Sequence, residues 1–461
     1  MNETEQSENS RVFCLLMAGG DGKRLWPSSR RFYPKPLFSL QGRDSLLRGA
    51  VGLFSSLDFL SEITVLAGAP HEKALRSHLG PVKAHISTEP LSRNTAPAIT
   101  LGVMSVLREF EEEDEDAIFV VSPSDHLIGN KKQLSHALKT AIAAAEKGLI
   151  ITIGATPTRP ETGYGYIEKG VDTDDGSGKV FKIKQFVEKP NLQTARKYVK
   201  DSFLWNCGIF VFKGRVMMEE MKKHAPKVFS SVRKALSKEN SFGVTDAESY
   251  ARSPNISIDC AVMEKTDLGA VIPASFGWND VGSWESVYNL SEKDSSGNAL
   301  SGDVVIQESE NCLVRGDGRL VVVHGLKDVA IVSEQDALFV SDIKSSGEIK
   351  SVVDTLISEK RPEALRPFSS RHGWGSEETI EKGCGFSVKS VTVEKKMEYE
   401  PDPPAGRLIV LEGEATATLA NKSVVLSEGD LLEIPEDVPL RVKNGGKSVL
   451  RLLEISFGTN E

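Results

Sequence analysis

The stretch Val12-Phe13-Cys14-Leu15-Leu16-Met17-Ala18-Gly19-Gly20-Asp21-Gly22-Lys23-Arg24-Leu25-Trp26-Pro27 constrains the chain more than any other. Its apolar run has the length and composition of a buried strand. The run breaks at once into a loop of three glycines and two cations. Glycines there let backbone N–H groups approach an anion and open backbone angles closed to other residues. Lys23 and Arg24 add positive charge, and a guanidinium can fork onto phosphate oxygens. Two familiar phosphate loops are excluded: no Gly-Lys-Ser/Thr closes this one, and it lacks Gly-x-Gly-x-x-Gly. On local grounds the loop either binds phosphate or is a flexible turn. Lys35 follows between Pro34 and Pro36, which fix its backbone. It is either a turn lysine or a second phosphate contact.

Downstream, apolar runs at 63–67, 117–121 and 149–153 read as strands, and 98–110 and 135–146 as helices. The alternation predicts an α/β domain with a mostly parallel sheet and helices on both faces. Ligands of such sheets sit beyond the carboxyl ends of the strands, where the glycine loop falls. After about residue 295 the texture changes. Residues 297–341 read as a small β unit packed on the first domain, 347–357 as a helix and 358–367 as a linker. The last hundred residues alternate short strands with turns, at 386–393, 407–411, 415–419 and 449–455, which predicts an all-β sandwich or barrel. A chain of 461 residues is too long for one core. The expected division is 1–295, 296–365 and 366–461.

Polar residues cluster where these strands end. Arg93 and Asn94 stand before a helix, suited either to base or ribose recognition or to a capped turn with Asn94 or Thr95 as N-cap. Asp125 ends a strand, where a carboxylate can hold Mg²⁺ on a triphosphate or cap a turn; His126 reads as its hydrogen-bonding neighbour. Gly163 and Gly165, interleaved with Tyr164 and Tyr166, suit close approach to a sugar beside an aromatic wall, or a bulge. Glu188 and Lys189 could take a sugar hydroxyl and a phosphate, or form a surface ion pair of little consequence. Asn206 is an amide near the start of a strand. Residues 258–264 supply further carboxylates, Asp259 and Glu264. Asp280, in a loop bounded by glycine and tryptophan, suits a second metal ligand.

Net charge is −9, which argues against general nucleic-acid binding and still allows a local basic pocket. No apolar run is long enough to span a bilayer. The first ten residues are polar and acidic, unlike a signal peptide, so the cytoplasm is the expected compartment. The five cysteines form no Cys-x-x-Cys pair, so neither structural zinc nor a disulfide framework is expected.

Taken in order, these blocks resemble the sugar-1-phosphate nucleotidyltransferases, and among them the mannose-1-phosphate guanylyltransferases. The matching stretches are Gly19 to Pro27, Pro34-Lys35-Pro36, Glu89-Pro90 with Arg93 to Ile99, Pro123 to His126, Thr162 to Ile167, Glu188-Lys189-Pro190, Trp205-Asn206 with Gly208-Ile209-Phe210, and Trp278 with Asp280 to Trp284. The resemblance spans nearly the whole chain. It implies a Rossmann-like nucleotidyltransferase domain, a small β unit and a C-terminal cupin-like domain. It further implies that Gly19, Gly20, Gly22, Lys23 and Arg24 surround the phosphates of GTP, and that Lys35 meets the reacting phosphates. Asp125 and Asp280 would hold Mg²⁺. Glu188 and Asn206 would bind mannose hydroxyls, Gly163 would approach the sugar, Lys189 would grip its phosphate, and Arg93 and Asn94 would lie near the nucleoside. Arg24, Lys35 and Lys189 would be the catalytic cations. GTP and mannose 1-phosphate would give GDP-mannose and pyrophosphate, with no nucleic-acid or membrane partner and a homodimer among the assemblies left open. Two other readings stand beside this one: transfer to another hexose 1-phosphate or from another nucleotide, and a non-catalytic regulatory subunit. The second expects lost motifs, whereas all the charged positions above are present.

The tail resembles the cupin-like domain of bifunctional phosphomannose isomerase/guanylyltransferases, which hold the isomerase metal with a histidine-rich run, a glutamate and a later histidine. Here the first stretch reads Tyr399-Glu400-Pro401-Asp402-Pro403-Pro404-Ala405-Gly406-Arg407, the later position is Leu440, and no histidine lies beyond His372. Prolines offer no metal ligand, and Glu400 and Asp402 alone are too few. The expectation is a structural or regulatory domain without isomerase activity.

Overall fold

The computed structural model describes residues 11–20, 22–40, 44–80, 82–109, 117–173, 179–236, 244, 246–401, 406–420, 422–436 and 438–457. Asp21 and residues 402–405, named above, lie outside them. The chain forms two compact units, and neither is one continuous stretch. The first comprises residues 1–20, 44–72 and 82–281; the second comprises 21–43, 73–81 and 282–461.

The first unit contains strands β1 (Val12–Met17), β2 (Glu62–Gly68), β3 (His85–Glu89), β4 (Ile118–Pro123), β5 (Leu127–Ile128), β6 (Ile150–Ala155), β7 (Tyr166–Asp172), β8 (Phe181–Val187), β9 (Leu204–Lys213), β10 (Gly269–Pro273) and β11 (Trp278–Asn279). Nine of them make one sheet in the order β3-β2-β1-β4-β9-β6-β10-β8-β7. Seven strands run one way, and only β9 and β8 run against them. The expectation of a mostly parallel sheet therefore holds in strand direction. The two reversals leave no mark in the sequence of β9, because a strand covered on both faces is apolar whichever way it runs. Helices Thr95–Glu109 and Lys131–Glu146 pack on the sheet, and Leu15, Val103, Phe119, Phe212 and Met217 are among the buried core side chains.

The chain leaves β1 toward β2 on one side and returns to β4 on the other. Open α/β sheets bind their ligands at such a reversal of strand order, here the carboxyl ends of β1 and β4. Ser124 pins the two ends together: its backbone N–H and its Oγ both donate to the Met17 carbonyl, at 3.0 and 2.9 Å. Strands β5 and β11 form a separate antiparallel ribbon just beyond, with Leu127 opposite Asn279 and Ile128 opposite Trp278.

In the second unit, β12 (Ala299–Ser301), β14 (Leu313–Gly316) and β16 (Val329–Ser333) stack in parallel, with β17 (Leu338–Asp342) antiparallel at the edge. Strands β13 (Val304–Gln307) and β15 (Val321–His324) form a second parallel layer around buried Cys312, Val314 and Val323. Residues 22–40, which read in sequence as part of the first domain, pack within this unit. The Arg30 guanidinium forks onto Asp336, Nη1 to Oδ2 at 2.7 Å and Nη2 to Oδ1 at 2.8 Å, with the arginine side chain fully buried. Arg315 donates to the carbonyls of Leu40 and Ser39, and Trp284 Nε1 to that of Trp26. The C-terminal strands form a six-stranded and a four-stranded sheet over an apolar core that includes Val391, Leu408, Ala417, Leu440 and Leu452. Among the described residues no helix is long and apolar enough to cross a membrane.

Candidate active site

In the first unit, polar groups gather beyond the strand ends in three places. The first is the β5–β11 ribbon. Extending its register by one residue sets Asp280 opposite His126, next to Asp125. Trp278 Nε1 donates to His126 Nδ1 at 3.1 Å, so a neutral His126 carries its proton on Nε2, which faces Asp125 Oδ1 at 3.8 Å. Asp280 is buried and accepts a hydrogen bond from Tyr164 Oη at 2.5 Å. The Tyr164 ring stands edge-on to Trp205 and Trp278, an aromatic wall behind the carboxylate. Burial first, then the charge of Asp280, raises the Tyr164 phenol, so it stays a donor. Two carboxylates on one short ribbon are a donor set that could take a divalent cation, with phosphate or water completing it. Among the described residues no cluster of three or more His, Cys, Asp or Glu side chains is placed to hold a metal.

The second place is built on β8, β9 and the turn before β7. Glu188 and Lys189 pair at 2.8 Å, the carboxylate mostly covered and the ammonium exposed. Lys189 holds a positive φ of 48°, a strained conformation for a side chain so placed. Asn206 donates from Nδ2 to Asp259 Oδ1 at 2.9 Å, and its Oδ1 accepts from Thr152 Oγ1 at 2.8 Å. Gly165 lies between them: a Cβ there would stand 2.7 Å from Glu188 Oε2 and 3.3 Å from Asn206 Cβ. A side chain there would push the Glu188 carboxylate aside and press on Asn206. Gly163 is tied differently, its N–H donating to Glu161 Oε1 at 3.1 Å. Burial, then the Glu188 carboxylate, pushes Asp259 up to about 7.

The third place is the entrance to helix Thr95–Glu109. Arg93 Nη2 donates to the Ala251 carbonyl at 2.6 Å, and Thr95 Oγ1 accepts from the Ile258 N–H at 2.8 Å. Arg93 thus anchors a neighbouring turn, while exposed Asn94, at φ 69°, faces outward. At the end of β1, Gly19 and Gly20 are exposed with open space where a Cβ would lie, and Gly20 has φ 109°.

The remaining cations belong to the second unit. Gly22 has φ 59°, and a Cβ there would collide with Ser29 Oγ at 2.3 Å and Lys35 Cβ at 2.7 Å. The glycine therefore brings the loop against Lys35, joining two sites the sequence only set in order. Lys23 pairs with Asp354 Oδ1 at 2.8 Å, and Arg24 is exposed.

A nucleotidyl transferase family model matches residues 13–297, a MannoseP isomerase/GMP-like beta-helix domain residues 302–356, and a cupin domain residues 396–456. The mannose-1-phosphate guanylyltransferase of Salmonella montevideo is 33% identical over 457 residues, covering 96% of this chain and 95% of that protein. The chain belongs to the nucleotidyltransferase family of the mannose-1-phosphate guanylyltransferases. The family also includes the alginate biosynthesis protein AlgA of Pseudomonas aeruginosa, 34% identical over 455 residues with 96% and 93% coverage. A crystal structure described as mannose-1-phosphate geranyltransferase from Thermus thermophilus superimposes with a TM-score of 0.67 at 31% identity, over 75% of this chain and 99% of that one. Nucleotidyltransferases of this family act on a nucleoside triphosphate and a sugar phosphate and generally use a divalent metal. Nothing local in the sequence marks the contacts of Tyr164 with Asp280 and of Asp259 with Asn206 in the first unit, or of Arg30 with Asp336 in the second. The aromatic spacing around Tyr164 is the one nearby signal, and it does not name a partner.

Proposed function

We propose that this nucleotidyltransferase moves GMP from GTP to α-D-mannose 1-phosphate, forming GDP-mannose and pyrophosphate. The observation that carries the reading is the Glu188–Lys189–Asn206 group, which offers sugar hydroxyls an acceptor and a donor beside an ammonium for the phosphate. A phosphate oxygen of mannose 1-phosphate is ionised at neutral pH and needs no protein base. It attacks the α-phosphorus of GTP in line; the new O–P bond forms as the bond to the β-phosphate bridge breaks, and pyrophosphate leaves with the electron pair. The chain's task is to align two anions and offset the charge that develops. In this proposal Lys189 holds the sugar phosphate, Glu188 and Asn206 orient the ring, and Gly163 borders it. Gly19, Gly20, Gly22, Lys23, Arg24 and Lys35 attend the triphosphate, while Arg93 and Asn94 lie toward the nucleoside. Mg²⁺, on Asp125 and Asp280, would neutralise phosphate charge when bound.

We further propose that the cupin-like domain has no isomerase activity. Leu440, where the later metal histidine would stand, is buried in an apolar core; Tyr399 donates to Glu454; and both ring nitrogens of His372 face serine hydroxyls. The test is pyrophosphate release from purified protein with Mg²⁺ and mannose 1-phosphate, comparing GTP with ATP, UTP and dTTP, and a parallel arm that follows conversion of fructose 6-phosphate to mannose 6-phosphate with a divalent metal added. Release with GTP, no mannose 6-phosphate from fructose 6-phosphate, and a loss of about 100- to 1,000-fold in kcat/KM in Lys189→Ala are expected. Release with another nucleotide alone would overturn the guanylyl assignment, and formation of mannose 6-phosphate would overturn the second proposal.

A further inference from the structure

Asp259 has no assigned part in the reaction, yet its surroundings are specific. It opens a single π-helical turn, Asp259–Met263, an irregularity frequent at functional sites. Only 8% of it is exposed. Its contact with Asn206 has one chemically allowed sense. The Gly208 backbone N–H can only donate, so the Asn206 atom 3.1 Å from it is the oxygen, Oδ1. Thr152 Oγ1 lies 2.8 Å from the same oxygen and 3.2 Å from the Ile209 carbonyl, and shares its one proton between these two acceptors. Oδ1 thus faces two donors within the fold, and Nδ2 uses one of its two N–H groups on Asp259. Asn206 can therefore present a ligand with a donor and with no acceptor. Glu188 and Lys189, from the turn after β8, and the Ser257 hydroxyl also face Asp259.

We infer that Asp259 is a positioning residue for the sugar phosphate: its carboxylate fixes the Asn206 amide so that an N–H, rather than the carbonyl, meets a sugar oxygen. The inference rests on the proposed reading of Asn206 as a sugar contact. It is tested in the full chain by varying GTP and mannose 1-phosphate separately, with calorimetric binding of mannose 1-phosphate as a second readout. Asp259→Ala should raise KM and Kd for mannose 1-phosphate about tenfold, the size of one hydrogen bond, while KM for GTP stays within about twofold. Asp259→Asn, whose amide oxygen can still accept from Nδ2, should restore the sugar-phosphate KM to within about threefold of wild type. In an Asn206→Ala background, Asp259→Ala should add nothing further. If Asp259→Ala does not fold, Asp259→Ser, too short to reach Nδ2, replaces it. An unchanged sugar-phosphate KM, equal shifts for both substrates, or failure of rescue by Asp259→Asn would overturn the inference while leaving the proposed activity standing. A wild-type protein that neither binds mannose 1-phosphate nor turns it over would overturn both.

Discussion

At Asp280 the carboxylate is oriented from two sides. Tyr164 donates to it, and the next residue, Val281, is held at φ 47°, an outlier for a β-branched side chain, while its N–H donates to Asn279 Oδ1 at 2.7 Å. If Asp280 holds the metal as proposed above, such partners would tune that site without touching the metal. Tyr164→Phe keeps the ring between Trp205 and Trp278 and removes only the donor. The half-saturating Mg²⁺ concentration should rise about 10- to 100-fold, with kcat at saturating metal near wild type, as read from a metal titration of turnover. Asp125, Glu188, Asn206 and Asp280 could be named from sequence because each follows or opens a recognisable strand or loop. Asp259 could be named only as a carboxylate, since its partner Asn206 is 53 residues away and nothing local marks the contact.

The cation loop depends on elements far from it in sequence. Arg30 looks like a surface cation in Ser-Ser-Arg-Arg, yet it is buried, forked onto Asp336, and donates from Nε to the Pro27 carbonyl at 2.5 Å. Its partner lies 306 residues away, which composition and periodicity cannot reveal. A buried pair that loses one member leaves an uncompensated charge. Asp336→Ala should therefore cost about 3–5 kcal/mol in chemical denaturation. The apolar double variant Arg30→Met/Asp336→Leu should lose much less than that, because no buried charge is left alone. An equal loss in both would mean that shape, rather than charge, sets the stability here. The small β unit and the helix Lys350–Ser358 were legible as elements, from their short alternating runs and their helical spacing.

Across the whole chain, composition suggests breaks near 295 and 365; packing is a separate property, and the compact units interleave front and rear segments. Segment 73–81 joins the second unit partly through Ser77 Oγ, 2.9 Å from His372 Nδ1. His372 stacks on Trp374 and stands 3.6 Å from Glu377, which Lys389 also approaches at 3.5 Å. Burial alone would raise Glu377, but the nearby His372 ring, the Lys389 charge and the Ser370 hydroxyl, which donates to it at 3.2 Å, outweigh burial and hold the carboxyl at about 2. Its folded value is depressed, so its stabilisation is complete above about pH 4.5 and is lost as pH falls through about 2. Thermal melts of Glu377→Gln should be less stable than wild type at pH 7 and should change less with pH across that window.

The interleaving also sets an order of events at the ribosome. Arg30 emerges about 300 residues before Asp336, so at roughly 5–20 residues per second the arginine waits on the order of 15–60 s for its partner to be synthesised. During that interval the segment that becomes the cation loop has no template to fold against. A nascent chain stalled near residue 300 should leave it open to protease, and one stalled beyond the cupin-like strands should protect it.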